Sequence, residues 1–251
     1  MTRSLLILGM VVGILAGLLA FVSAHWLGEP QVDRAIAFEE LMDEAKAEFA
    51  KHHSMPMPEE QAELVSRPVQ AGLGLFVAVM VYSAAFGGLF GLAFAIALGR
   101  IPGDLSPRAL SALLALIGFV ALYAVPNLKY PANPPSIGNP DTIGIRTGLY
   151  FGVMAISLAA MVGGIALRRI LGARYGGWNA TLMVGAYYIV LMIIAALLLP
   201  GVNEVPEEFP AVVLWKFRIA SLAAQVILWA TLGLLFGTLT QRAYVHSRVP
   251  A

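Results

Sequence analysis

The chain has 251 residues, 59% of them hydrophobic and 12% charged, with a formal net charge of +1. A soluble domain carries about a quarter charged residues, so this composition excludes an ordinary soluble enzyme or nucleic-acid-binding module and points to a lipid bilayer. Cysteine is absent, which excludes disulfides, thiolate metal sites and cysteine nucleophiles.

The first apolar run covers residues 5–27 and carries Gly9, Gly13 and Gly17 at the four-residue spacing that lets two membrane helices approach closely. Arg3 and "VSA" at 22–24 also fit a cleavable signal, but the run is longer than a usual signal core and reads as a retained span. Cleavage would leave five spans in place of six. Residues 28–68 form an acidic external loop. Glu29-Pro30 reads as a helix boundary, and the following segment places Phe38, Leu41, Met42, Ala45 and Phe49 on one face of a short amphipathic helix. "HHSMPMPEE" ends it, because Pro56 and Pro58 cannot continue a helix.

The second run, 69–98, contains Gly87 and Gly91, and "GRIPGD" makes a short turn after it. The third run, 109–126, leads into "VPNLKYPANPP", where Pro126 ends or kinks the helix and Pro131, Pro134 and Pro135 hold an extended exit. That segment is a candidate wall for a vestibule facing loops 27–68 and 201–210. The fourth run, 147–167, is preceded and entered by Gly144, Gly148 and Gly152. The glycine triplets of runs one and four hint at an inverted repeat. "YGGWNA" turns the chain into the fifth run, 180–199, and the sixth spans 211–240. "LWKFR" sets Lys216 and Arg218 just inside that last run, where they snorkel or pair with Glu204, Glu207 or Glu208.

None of the six runs contains Asp or Glu. Their length predicts helices, so the fold class is an all-α integral membrane bundle of six transmembrane helices in one membrane domain, 1–251. With both termini cytoplasmic, Asp104 is the one acidic residue on the inner side and fourteen lie outside. Eight basic residues fall on each side, but the inner eight sit in short loops, where they orient a membrane protein.

Chemistry-bearing residues gather in the outer loop. His52, His53, Met55 and Met57 lie within six residues, beside Glu59 and Glu60. Imidazole suits Co²⁺, Ni²⁺ and Zn²⁺, so His52, His53 and Met55 are candidate metal ligands; a chance pair of solvated histidines is the plainer alternative. His25 at the mouth of the first span, with Glu29 and Asp33, forms a second candidate set; the plainer reading is an interfacial side chain beside Trp26. Polarity within the spans is thin: Ser83, Ser111, Ser157, Ser221, Gln225 and Thr231, with Tyr82, Tyr123, Tyr187 and Tyr188. No phosphate loop, HExxH or GxSxG motif occurs, so an enzyme is not expected.

Several strings carry a resemblance: "GEPQVDRAIAFEE" (28–40), "VSRPVQAGLGL" (65–75), "GFVALYAVPNLKYPANPPSIG" (118–138), "TIGIRTGLY" (142–150), "NEVPEEFPAVVLWKFRIASL" (203–222) and "LWATLGLLFG" (228–237). In order along nearly the whole chain, they resemble the CbtA family, the proposed cobalt transporter subunit linked to cobalamin biosynthesis. The resemblance implies a multi-pass protein of the bacterial cytoplasmic (inner) membrane that moves a divalent metal. It implies five spans, one fewer than the residues predict, and a CbtB-like partner with one span and a His-rich terminus. No permanent cofactor is implied, only transiently bound Co²⁺ or another divalent ion; self-association into a homo-oligomer is a further option. The rival expectation is a non-transporting scaffold of a larger membrane complex.

Overall fold

A computed structural model describes residues 2–54, 65–100, 105–135 and 137–246. Met55, Met57, Glu59, Glu60 and most of the "GRIPGD" turn lie outside the described residues. Five helices are long and apolar enough to cross a membrane: α1 (Thr2–His52), α2 (Arg67–Ala97), α3 (Pro107–Lys129), α4 (Ile143–Leu198) and α5 (Ala211–Ala243).

The expected boundary at Pro30 is not there. α1 runs through it by widening into a π-helical turn, Ala24–Gly28, in which the Glu29 amide reaches back to the Ala24 carbonyl. The same device precedes Pro126: a π turn at Val120–Ala124, with the Val125 amide on the Val120 carbonyl. In both, the residue before the proline makes the wide bond. The added residue per turn relieves the clash between the pyrrolidine ring and the preceding turn. The acidic amphipathic segment is therefore the upper half of α1 rather than a separate helix. Near its start Ala35 and Phe38 pack on Phe209 and Ile137, the two phenyl rings meeting edge to face at 5.1 Å. Farther on its apolar face is open, Leu41 being 65% and Phe49 58% exposed.

α1 and α2 pack through their glycines. A Cβ on Gly9 would lie 2.2 Å from the Gly87 carbonyl oxygen, and one on Gly13 2.1 Å from that of Ser83. α5 seats Gly233 and Gly237 against Ala115 and Ser111 of α3 in the same way. Phe90 and Phe94 meet Phe236 at 5.4 and 5.1 Å and close the core that joins the two pairs. Gly144, Gly148 and Gly152 behave differently: nothing lies within 4 Å of where their Cβ atoms would be, so the hinted likeness between runs one and four does not extend to their packing.

α4 has 56 residues and is bent double. Gly176 leaves helical geometry at φ 78°, ψ 158°, a conformation only glycine adopts without strain. The arms 143–175 and 177–198 then lie side by side: the Ser157 hydroxyl is 2.7 Å from that of Tyr188, Gly164 abuts Val184, and Arg168 Nε donates to Thr181 Oγ1 at 2.9 Å.

Long-range contacts sort the segments into two ends. Arg169 donates to the Arg100 carbonyl at 2.8 Å, Gly91 abuts Leu5, and Gly237 abuts Arg108. That end carries Arg3, Arg100, Arg108, Arg168, Arg169, Arg174 and Arg242 and, among the described residues, no Asp or Glu. All described acidic residues lie at or beyond the opposite end.

Candidate functional site

At the acidic end a cavity of about 770 Å³ opens between α1, the chain after α3, the first turns of α4, the 201–210 segment and the start of α5. One wall is the proline-rich stretch singled out in the sequence. α3 ends at Lys129 and Tyr130 leaves helical geometry, as a residue before proline must. Pro131, Pro134 and Pro135 then run along the cavity in company with Asn133. Lys129 pins this stretch to α4: its ammonium donates to the Ala196 and Leu199 carbonyls at 2.8 and 2.9 Å, occupying a helix C-terminus whose last carbonyls lack partners.

The opposite wall is organised by Glu204. Its carboxylate accepts from the Thr142 hydroxyl and from the Asn139 amide, and Arg146 faces it across 3.2 Å, a charge pairing without hydrogen-bond alignment. The Thr142 hydrogen bond, more than the Asn139 amide and the Arg146 charge, holds this carboxyl below the usual carboxylate range, against a smaller opposing effect of burial. Gly138 fits this corner: its φ of +116° would strain any other residue, and a Cβ would sit 2.6 Å from Arg146 Nη1 and 2.8 Å from Glu204 Oε2, displacing the ends of both side chains.

Arg218 completes the lining in a different way. Its Nε donates to the Ala132 carbonyl at 3.1 Å and its Nη2 to Asn133 Oδ1 at 3.0 Å. It does not pair with Glu204, Glu207 or Glu208, one of the two outcomes the sequence allowed. Glu39 of α1 stands at the exposed rim. Tyr150 lies at the membrane side, and below it the Tyr123 and Ser221 hydroxyls are 3.2 Å apart.

A family model for the probable cobalt transporter subunit (CbtA) matches residues 2–241. The chain belongs to the CbtA family. No curated protein and no solved structure matches it.

For a CbtA chain the placement of the proposed metal ligands matters. Glu29 and Asp33 both converge on Arg67, the Asp33 bonds measuring 3.0 and 2.8 Å, so a guanidinium already fills the space between these carboxylates. His25 turns Nδ1 to the Ala71 carbonyl at 3.1 Å and stacks on Phe21. His53 folds onto its own helix, Nδ1 at 2.9 Å from the Phe49 carbonyl and its ring stacked on Phe49. His52 is exposed beside it. Among the described residues no three His, Asp or Glu side chains converge as a metal site would require.

Arg146 and Glu39 are not among the residues that stand out in the sequence, and Glu204 pairs with Arg146 rather than with Arg218. Thr142 and Arg146 are four apart and so share a helix face, which was visible in the sequence. Their convergence on Glu204, some sixty residues away, was not.

Proposed function

We propose that the chain is the membrane subunit of a cobalt uptake system, set in the bacterial cytoplasmic membrane with both termini inside and completed by a small single-span partner bearing histidines. The family match over residues 2–241 carries this reading. The charge separation between the two ends supports the orientation, since basic residues in short loops mark the cytoplasmic side. The reversal at Gly176 supports six crossings: a straight helix of 56 residues would reach about 84 Å, far beyond a hydrocarbon core of about 30 Å. Each arm separately is long enough to cross.

Divalent import down an inside-negative potential of ~100 mV gains roughly 4.6 kcal/mol for two charges. The ion's lost hydration must be met by ligands, which the partner's histidines supply. External capture falls to His52, His53 and Met55, because Arg67 already occupies Glu29 and Asp33 beside His25.

The tight glycine packing inside the bundle favours a second reading, a scaffold that transports nothing itself. Cobalt accumulation in proteoliposomes under an imposed potential separates the two. Uptake that requires both chains supports transport; no uptake with either composition, the protein being folded, leaves the scaffold.

A further inference from the structure

We propose that the cavity at the acidic end is a binding site for a small organic acid whose carboxylate is gripped by Arg218. The inference concerns the cavity's ligand and stands whether or not the chain moves metal. It starts from an imbalance among the half-buried arginines of this end, exposed Arg34 being bonded to Gln31. Arg67 is neutralised by Glu29 and Asp33, and Arg146 by Glu204. Arg218, half-buried in the wall, has only neutral acceptors among the described residues, the Ala132 carbonyl and Asn133 Oδ1.

Those two bonds use the Nε–Nη2 edge. The Nη1–Nη2 edge keeps its donors free, in the fork geometry that grips a carboxylate with two parallel bonds. Both acceptors sit on the proline-stiffened wall, so the guanidinium is held in place before a ligand arrives and little ordering cost remains. The volume, about 770 Å³, falls within the ordinary range for small-molecule sites.

The lining selects the kind of anion. Pro131, Tyr150 and Phe217 offer apolar faces for a carbon skeleton. Inorganic phosphate has no such skeleton and gains only the guanidinium, whose attraction Glu204 and Glu39 in the same cavity partly offset. A bare divalent cation is repelled by Arg218; a metal wrapped in an organic acid is not. The shared chemistry is a carboxylate, presented by the free acid or by its metal chelate.

The test is equilibrium binding of radiolabelled citrate to the full chain in nanodiscs, alone and with equimolar Co²⁺, with succinate and inorganic phosphate as competitors. Saturable binding is expected, displaced by succinate and not by phosphate. Arg218→Gln should weaken it about tenfold or more, Arg218→Lys by less, and Lys216→Gln, on an exposed position nearby, not at all. Thr147→Trp narrows the cavity from the α4 side, leaving Arg218 itself unchanged, and should abolish binding even if Arg218→Gln disturbs the loop. Tighter binding with Co²⁺ assigns the chelate as ligand, and equal or weaker binding assigns the free acid; both uphold the site. Absence of saturable binding, equal competition by phosphate, or wild-type affinity in a folded Arg218→Gln or Thr147→Trp protein overturns it.

Discussion

Replacing Gly13 with alanine tests whether the α1–α2 contact is closed to the limit of atomic packing. The new Cβ would stand 2.1 Å from the Ser83 carbonyl oxygen and 3.1 Å from Gly87 Cα. Carbon and carbonyl oxygen in the closest favourable contacts stay about 3.3 Å apart or more, so the helices must separate locally by about 1.2 Å. The obstacle is backbone on both sides and cannot rotate away. Overpacking of this kind costs about 1–3 kcal/mol, and separation also loosens the neighbouring contacts at Gly9 and Gly17. Gly148→Ala is the internal control: nothing lies within 4 Å of its Cβ position, and alanine is the better helix former by up to about 1 kcal/mol. Reversible unfolding in mixed micelles measures both. The argument predicts a clear loss for Gly13→Ala and none, or a small gain, for Gly148→Ala. Equal stability of Gly13→Ala and wild type would refute the close α1–α2 approach.

Three further outcomes follow from the site. Because Glu204 is held below the usual carboxylate range, its contribution to stability is present above the unfolded value of about 4.3 and disappears as pH falls through its lower folded value; the difference in melting temperature between wild type and Glu204→Gln should be largest near neutrality and shrink in acid. Lys129→Met leaves the Ala196 and Leu199 carbonyls without their donor and should cost about 1 kcal/mol, with faster hydrogen exchange confined to the end of α4. On the proposed capture role, replacing His52 and His53 together by alanine should weaken external Co²⁺ binding about tenfold or more, and an unchanged calorimetric affinity would discard it.

The all-helical, multi-pass character was legible because apolar runs without acidic residues are decisive in a bilayer. So were the close contacts of Gly9 and Gly13 with the Gly87–Gly91 stretch, since small residues at this spacing are what tight membrane packing needs. Proline misled at Pro30, which read as a helix boundary; Pro126 read as an end or a kink. The chain widens one turn ahead of each and continues; a π turn leaves no composition signal because it depends on what the helix gains by continuing. For α1 that gain is the packing of Ala35 and Phe38 on Phe209, a contact with a segment far along the chain. Arg218 was legible as a basic residue out of place near a span end, but not its partners: three glutamates close in sequence looked like one natural choice, and geometry gave Glu204 to Arg146.

These particulars bear on where a metal ion could pass. The α1–α2 seam is closed by backbone against backbone, and the α3–α5 seam by Trp229 against Gly118, where a Cβ would lie 2.3 Å from the indole. The two arms of α4 are latched by Ser157 and Tyr188. The polar side chains farther along these helices are neutral: Tyr150, which lines the cavity, the Tyr123–Ser221 pair, and Gln225 one turn beyond Ser221 on α5. Neutral oxygens of this kind can escort an ion but offer no charge to offset its dehydration, and no Asp or Glu lies in the apolar runs to help. A route bounded by this chain alone is therefore poorly equipped for a naked divalent cation. A route along the boundary with a second chain gains that chain's ligands while keeping the rigid wall provided here, which is why the requirement for both chains is the outcome that matters most in the uptake assay.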